Sequence, residues 1–309
     1  MTDVDADLVI IGGGPAGLTA GLYGARARLR TLLLEGHLPG GQVLITDWVE
    51  NYPGYPDGIT GVDLVRGMTE QAQRFGMAME TLKVDAVVQD GSLKIVSGEG
   101  REIRTHAVII ATGASPRKLG VPGEDQFFGK GISSCATCDG PFYKDRVVAA
   151  VGGGDTAVQE SVFLTRFAGK VYLIHRRDRL RAEKILQERA LANEKIEVLW
   201  DTVVTGVSGL THVENIHIRN LKTGEARTLR ADAFFVWIGI RPNADFIGDT
   251  VRRDDWGFIL TDHLMATSVP GIFAAGDVRA TPLRQIATAV GDGALAAWAA
   301  EHYIEQLVK

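Results

Sequence analysis

The chain has 309 residues, 45% of them hydrophobic and 23% charged, and 33 Lys+Arg against 38 Asp+Glu leave a net charge of −5. This composition excludes disorder and coiled coil, and the mild acidity gives no reason to expect nucleic acid or an anionic membrane as a partner. At roughly 100–200 residues per domain, two domains are expected. Glycine is frequent, 37 residues without a collagen-like period, which places it in turns and ligand loops.

In chain order, Leu8–Ala25 comes first, an uncharged run holding six glycines and Pro15. Asp3, Asp5 and Asp7 precede it and no Lys or Arg does, the reverse of a signal peptide's n-region. The glycines and proline make it a poor membrane helix, so a cytoplasmic location is expected. Leu8–Ile11 reads as a strand ending in Gly12-x-Gly14-x-x-Gly17, with a helix to about Ala27 and a strand from Thr31 to Glu35. Hairpin signals follow at Asp90-Gly91 and at Gly98 to Gly100, then the apolar run Ala107 to Gly113.

The order then repeats. Val147–Val151 leads into Gly152-x-Gly154-x-x-Ala157, a helix to about Phe167, and a strand Val171–Ile174 ending at His175-Arg176-Arg177. Another hairpin signal, Thr223-Gly224, precedes Ala233 to Gly239. The chain therefore reads as two copies of one nucleotide-binding fold, joined by Pro-containing connections near Pro116 and Pro242.

The two turns differ chemically. Glycines at 12, 14 and 17 permit a tight turn, close approach to a pyrophosphate, and helix–strand packing, with the helix N-terminus offering amide donors. Glu35 at the second strand's end suits a ribose 2′-hydroxyl and repels a 2′-phosphate. At the matching place in the second copy stand Arg176 and Arg177, with Arg179 and Arg181 beyond, suited to a 2′-phosphate. One copy is thus expected to take a dinucleotide without a 2′-phosphate, the other NADPH.

The chain's 2 cysteines form one Cys135-x-x-Cys138. An all-cysteine zinc site needs four, and no His offers a clear partner motif, so no metal is expected. A reversible dithiol is expected instead. Asp139 suits either proton exchange with a departing thiolate or the capping of a turn before Gly140-Pro141.

These features meet in a resemblance. The sequence resembles the low-molecular-weight thioredoxin reductases, flavoprotein disulfide reductases with two dinucleotide folds, over nearly its whole length. The motifs are Gly12–Gly17, Gly40-Gly41-Gln42, Asn51-Tyr-Pro-Gly54, Ala111-Thr112-Gly113, Cys135-Ala-Thr-Cys138-Asp139-Gly140, Gly152–Ala157, His175 to Lys184, and Thr267 to Asp277. The resemblance implies an α/β fold of two Rossmann-like, three-layer ββα domains with the second inserted into the first. The boundaries are then 1–117 and 245–309 for FAD, and 118–244 for NADPH and the dithiol. It implies FAD at Gly12, Gly14, Pro15, Ala16, Gly17, Glu35, Gly41, Gln42, Asn51, Ala111, Thr112, Gly113, Gly276, Asp277 and Gln285. It implies NADPH at Gly152, Gly154, Asp155, Thr156, Ala157, His175, Arg176, Arg177 and Arg181. Asp139 would be the acid/base, and Cys135 and Cys138 would carry electrons from flavin to thioredoxin. It implies a homodimer, and a flavin ring that meets nicotinamide and the dithiol by turns. A glutaredoxin-like or peroxidase-linked protein disulfide is the alternative substrate. Two departures are Gln159-Glu160, where relatives commonly carry two acidic residues, and Asp155, where they often carry Asn.

Overall fold

The structure, a computed structural model, describes residues 4–46, 48–49 and 51–308. It divides into two compact units, Met1–Ser115 with Arg241–Lys309, and Pro116–Ile240. The first begins with β1 (Ala6–Ile11), α1 (Pro15–Arg26), β2 (Thr31–Glu35), α2 (Gly61–Arg74), β3 (Ala78–Thr81), β4 (Ala86–Asp90), β5 (Leu93–Gly98), β6 (Arg101–Ile110) and β7 (Ala114–Pro116). The second holds α3 (Glu124–Phe127), β8 (Ile132–Ser133), α4 (Ala136–Asp139), β9 (Val147–Gly152), α5 (Asp155–Leu164), β10 (Lys170–Ile174), α6 (Lys184–Leu191), β11 (Ile196–Leu199), β12 (Thr202–Ser208), β13 (Asn215–Asn220), β14 (Ala226–Arg230) and β15 (Ala233–Trp237). After β16 (Ile240–Pro242) the chain completes the first unit with β17 (Ile272–Ala274) and α7 (Ile286–Val308).

β1 is apolar at nearly every position because both its faces are covered, as parallel strands require. It pairs in parallel with β2 and β6 at the centre of the order β3-β2-β1-β6-β5-β4, and β17 adds to β6. Leu8 and Ile10 join Leu18, Ala296 and Ala300 in the core on the helix side. Val9 and Ile11 join Val96, Ile103 and Ile259 on the other face. The second unit repeats this layering around the order β11-β10-β9-β15-β8. Val148 and Ala150 pack with Val158 and Leu164 of α5. Ala149 and Val151 pack with Ile216 and Ile218 of the sheet β12-β13-β14.

The copies differ in one respect that the hairpin signals do not reveal. In the first, β6 runs unbroken for ten residues, pairing with β5 over Arg101–Thr105 and with β1 over Thr105–Ile110. In the second, the chain breaks between β14 and β15, where Asp232 donates its N–H to Val147 and its carboxylate accepts the Val147 N–H. That break leaves β12-β13-β14 as a separate sheet.

Small residues set the spacing of α1 and α7. A Cβ on Gly293 would collide with the Ala16 carbonyl oxygen, whereas one on exposed Gly291 would meet nothing within 4 Å. Gly293→Ala is therefore expected to destabilise the protein by about 1–3 kcal/mol, the usual cost of overpacking. Gly291→Ala should be neutral or stabilising by about 0.5–1 kcal/mol. Denaturant titration of both variants checks the contrast.

Candidate functional site

In the first unit the turn after β1 is built from backbone. Gly12 has φ +105°, and a Cβ there would strike the Ala111 carbonyl; one on Gly17 would strike the Gly12 carbonyl oxygen. Gly14 caps α1, with Pro15 and the buried Ala16 in the first turn. A Cβ on Gly14 would meet nothing within 4 Å, so a ligand has an open approach to first-turn amides that lack intrahelical partners. Glu35 braces this turn from the end of β2. Its Oε2 accepts the Gly13 N–H at 2.7 Å and its Oε1 accepts the His37 N–H at 3.1 Å. A carboxylate offers about four acceptor positions, which leaves capacity for a hydroxyl. From the next loop, Gly40 donates its N–H to the Gly13 carbonyl at 2.7 Å. Gly41 follows it, and the Gln42 amide donates to the Ala114 carbonyl.

Other expected residues converge on the same unit. Asn51 donates its side-chain amide to Gln285 Oε1 at 2.9 Å, across 234 positions of sequence. The turn Ala111-Thr112-Gly113 is locked by a residue that sequence reading missed, Asn243. Asn243 accepts from the Thr112 hydroxyl at 2.6 Å and donates to the Thr112 carbonyl and, through its own N–H, to the Gly113 carbonyl, each at 2.9 Å. Gly276, at φ +74°, turns the chain after β17. Its N–H donates to Asp292, which Arg279 grips through two further bonds of 2.6 and 3.1 Å. Neither Asn243 nor the Arg279–Asp292 pair sits in a local sequence motif.

Asp277 is the group out of balance. Its carboxyl takes no hydrogen bond from the described residues, and burial pushes its pKa up to about 6 despite the nearby positive charge of Arg284. Arg284 lies over the Phe258 ring at 4.4 Å and keeps a buried Nε without a partner. An open amide cradle at Gly14 and an orphaned carboxyl at Asp277 fit a dinucleotide whose phosphates and hydroxyls would satisfy them.

The second unit repeats the turn. A Cβ on Gly152 would overlap Ala157 and the Trp237 carbonyl; one on Gly154, the cap of α5, would meet nothing. Asp155 Oδ1 accepts the Glu183 N–H at 2.7 Å, and Thr156 is exposed in the first turn. The Gly153 carbonyl accepts from Arg181 at 2.6 Å and Ala182 at 3.1 Å, which brings the arginine loop against the glycine loop. Arg176, Arg177, Arg179 and Arg181 are all exposed, with no acidic partner among the described residues. Gln159 is exposed on α5, while burial raises the pKa of the neighbouring Glu160 carboxyl.

Cys135 and Cys138 form a disulfide, with Cα atoms 5.4 Å apart. Cys135 caps α4, donating its N–H to the Ser133 hydroxyl at 3.0 Å and accepting the Cys138 N–H at its Sγ at 3.2 Å. The Trp237 indole donates to the Ser134 carbonyl at 2.9 Å and ties this loop to the end of β15. Asp139, partly buried, closes α4 with its N–H on the Cys135 carbonyl at 3.2 Å.

Known proteins resemble this chain in sequence and fold. The family described as pyridine nucleotide-disulphide oxidoreductase matches residues 6–293. Thioredoxin reductase of Peptoclostridium acidaminophilum is 47% identical over 305 residues, covering 97% of each chain. That of Treponema pallidum is 47% identical over 306 residues, covering 99% of each. The crystal structure of thioredoxin reductase from Streptococcus pyogenes superposes with a TM-score of 0.93 at 46% identity, covering 97% of this chain and 98% of that one.

The Asp277 carboxyl sets a pH dependence. Its raised folded pKa means the folded protein holds this proton more tightly than the unfolded chain. The stability it contributes is complete below about 4 and is lost as pH rises through about 6. Protein stripped of small ligands should lose up to about 3 kcal/mol across that window from this group. Asp277→Asn should remove that part of the dependence, as denaturant titrations at a series of pH values would show.

Proposed function

Because the chain belongs to the pyridine nucleotide-disulphide oxidoreductase family, whose members use a flavin and a pyridine nucleotide, we propose that it is an NADPH-dependent, FAD-containing reductase of thioredoxin. What carries the reading is the Cys135–Cys138 disulfide, set in a unit whose own glycine loop adjoins four exposed arginines. The thioredoxin reductases that match nearly the whole chain support thioredoxin as the substrate. In this reading Met1–Ser115 with Arg241–Lys309 is the FAD domain and Pro116–Ile240 the NADPH domain. No described helix is long and apolar enough to cross a membrane. The reading places the enzyme in the cytoplasm as a homodimer.

Within the first unit, the amides around Gly14 and the first turn of α1 receive the pyrophosphate. Glu35 accepts a ribose hydroxyl, and Asp277 accepts from the ribityl chain. Gln285, bonded to Asn51, contacts the ring. In the second unit, the α5 N-terminus takes the nucleotide's pyrophosphate, and Arg176, Arg177 and Arg181 take its 2′-phosphate. The bound flavin supplies the step between two-electron hydride chemistry and thiol chemistry.

The protein's own part is disulfide exchange. The Cys135–Cys138 disulfide gains two electrons and two protons and becomes a dithiol. One thiolate attacks a sulfur of the thioredoxin disulfide to give a mixed disulfide, and the other thiolate resolves it. Thioredoxin leaves as a dithiol and Cys135–Cys138 is oxidised again. Asp139 takes and returns the proton that the thiol releases and regains.

NADPH oxidation coupled to reduction of purified thioredoxin tests the whole scheme; a protein that turns over NADPH without reducing any thioredoxin would refute it. Replacing both cysteines with Ser should leave flavin bleaching by NADPH intact and abolish thioredoxin reduction, read by stopped-flow absorbance and a coupled disulfide assay. Two charge-assisted contacts of about 1.5–3 kcal/mol each should favour NADPH over NADH by about 10²–10⁴ in kcat/KM, nearer the low end after desolvation. Arg176→Ala with Arg181→Ala should erase most of that ratio, chiefly by raising KM for NADPH.

A further inference from the structure

The turn between β13 and β14 is built to present one side chain. Asn220 folds it from inside, its Oδ1 accepting the Lys222 N–H at 2.9 Å and the Thr223 N–H at 3.0 Å, and Gly224, at φ +75°, lets the chain return. The turn docks on the loop that follows β11. Leu221 donates its N–H to the Asp201 carbonyl at 2.6 Å, and the Asn220 side-chain amide donates to the Trp200 carbonyl at 3.2 Å. That loop is bonded in its turn to the arginine loop, through the Asp201 N–H on the Arg177 carbonyl at 3.1 Å and the Thr202 N–H on the His175 carbonyl at 2.9 Å. Lys222 stands at the end of this chain of contacts. Its Nζ lies 2.9 Å from Asp201 Oδ2 and 3.6 Å from Asp178 Oδ2.

Asp178 is the discordant member of the arginine loop, an exposed carboxylate among Arg176, Arg177, Arg179 and Arg181. A carboxylate beside the adenosine ribose selects a 2′-hydroxyl and repels a 2′-phosphate, which is the part that Glu35 suits in the first unit. Asp201 sets a second negative charge against the same loop. Lys222 pairs with both. Exposed ion pairs of this kind contribute little to stability, and the backbone bonds already hold the turn in place. What Lys222 changes is the charge that the arginine loop shows to a ligand.

We propose that Lys222 is a specificity-determining residue for the 2′-phosphate of NADPH: from a turn outside both glycine motifs, its ammonium cancels the carboxylates of Asp178 and Asp201, so that the arginines meet the phosphate unopposed. A phosphate monoester carries a charge of about −1.5 to −2 at neutral pH, whereas the hydroxyl in its place in NADH carries none. The effect of Lys222 therefore falls on one nucleotide and spares the other. It acts through space, so salt screens it over about 10 Å at 0.1 M ionic strength.

The inference rests on reading the second unit as the NADPH domain, and the experiment separates the two. NADP+ affinity of the full-length, flavin-loaded protein is measured by calorimetry, and the second-order rate constant of flavin reduction is measured with NADPH and with NADH. Lys222→Met removes the charge and keeps the stem. It should weaken NADP+ binding by about three- to tenfold at low salt, lower the NADPH rate constant to match, and leave the NADH rate constant within about twofold. In about 0.5 M salt the NADP+ loss should shrink below about twofold. Lys222→Arg keeps a cation and should bind NADP+ within about twofold of the wild type. Adding Asp178→Asn to Lys222→Met removes a carboxylate left without its partner and should restore at least about half of the lost affinity on a logarithmic scale. Equal losses with NADPH and NADH would mean that Lys222 only props the loop, and unchanged NADP+ affinity would mean that its charge is not felt; either overturns the inference while NADP+ still binds. A wild type that reacts equally with NADPH and NADH would instead overturn the assignment of the arginines, and the inference with it.

Discussion

Backbone meets backbone at the turn after the first strand of each unit, and this contact decides which residues can stand there. At Gly12 the obstacle to any side chain is the Ala111 carbonyl, just past β6; at Gly152 it is the Trp237 carbonyl, at the end of β15. In each unit the offending carbonyl belongs to the parallel neighbour of the strand that enters the turn. Pairing in the sheet thus dictates glycine in the loop. The helix that follows adds a second demand. Gly17 sits against the Gly12 carbonyl, whereas the second unit admits Ala157 because its methyl occupies the space that Gly152 leaves. Helix N-termini are thereby aimed past the C-terminal ends of the parallel strands, where ligands of such sheets bind.

The end of the next strand braces each turn, with opposite polarity. Glu35 offers a carboxylate to the Gly13 N–H, and His175 offers a ring N–H to the Gly152 carbonyl. One unit then surrounds its turn with acceptors, Glu35 and the half-buried Asp277. The other surrounds it with donors, the four exposed arginines. The same scaffold carries opposite signs of charge at matched places without a change of fold.

The glycine turns, the strands entering them and the dithiol were legible because each is a local pattern with a steric or chemical reason. The repeat of element order made the pairing of the two copies legible as well. The break at Asp232 was not, because it depends on a pair of bonds to Val147 formed only in the folded unit. Asn243 was hidden for the same reason: its partners Thr112 and Ser115 lie 131 and 128 positions away. Lys94, of which sequence analysis gives no reading, is fully buried, its ammonium on the Ser92 carbonyl at 3.1 Å and 5.6 Å from the Tyr303 ring centroid. No window of sequence around position 94 contains α7.

Discontinuity of the first unit has a consequence for how the chain is made. β17 and α7 are needed to cover β6 and α1, yet they leave the ribosome after all of residues 116–240. At about 5–20 residues per second, the inserted stretch alone takes roughly 6–25 s to synthesise. During that interval the apolar edge of β6 and the small-residue face of α1 have nothing to cover them. The inserted unit, contiguous in sequence, has everything it needs to close first. The order of synthesis therefore favours closure of the inserted unit while the first unit still awaits α7.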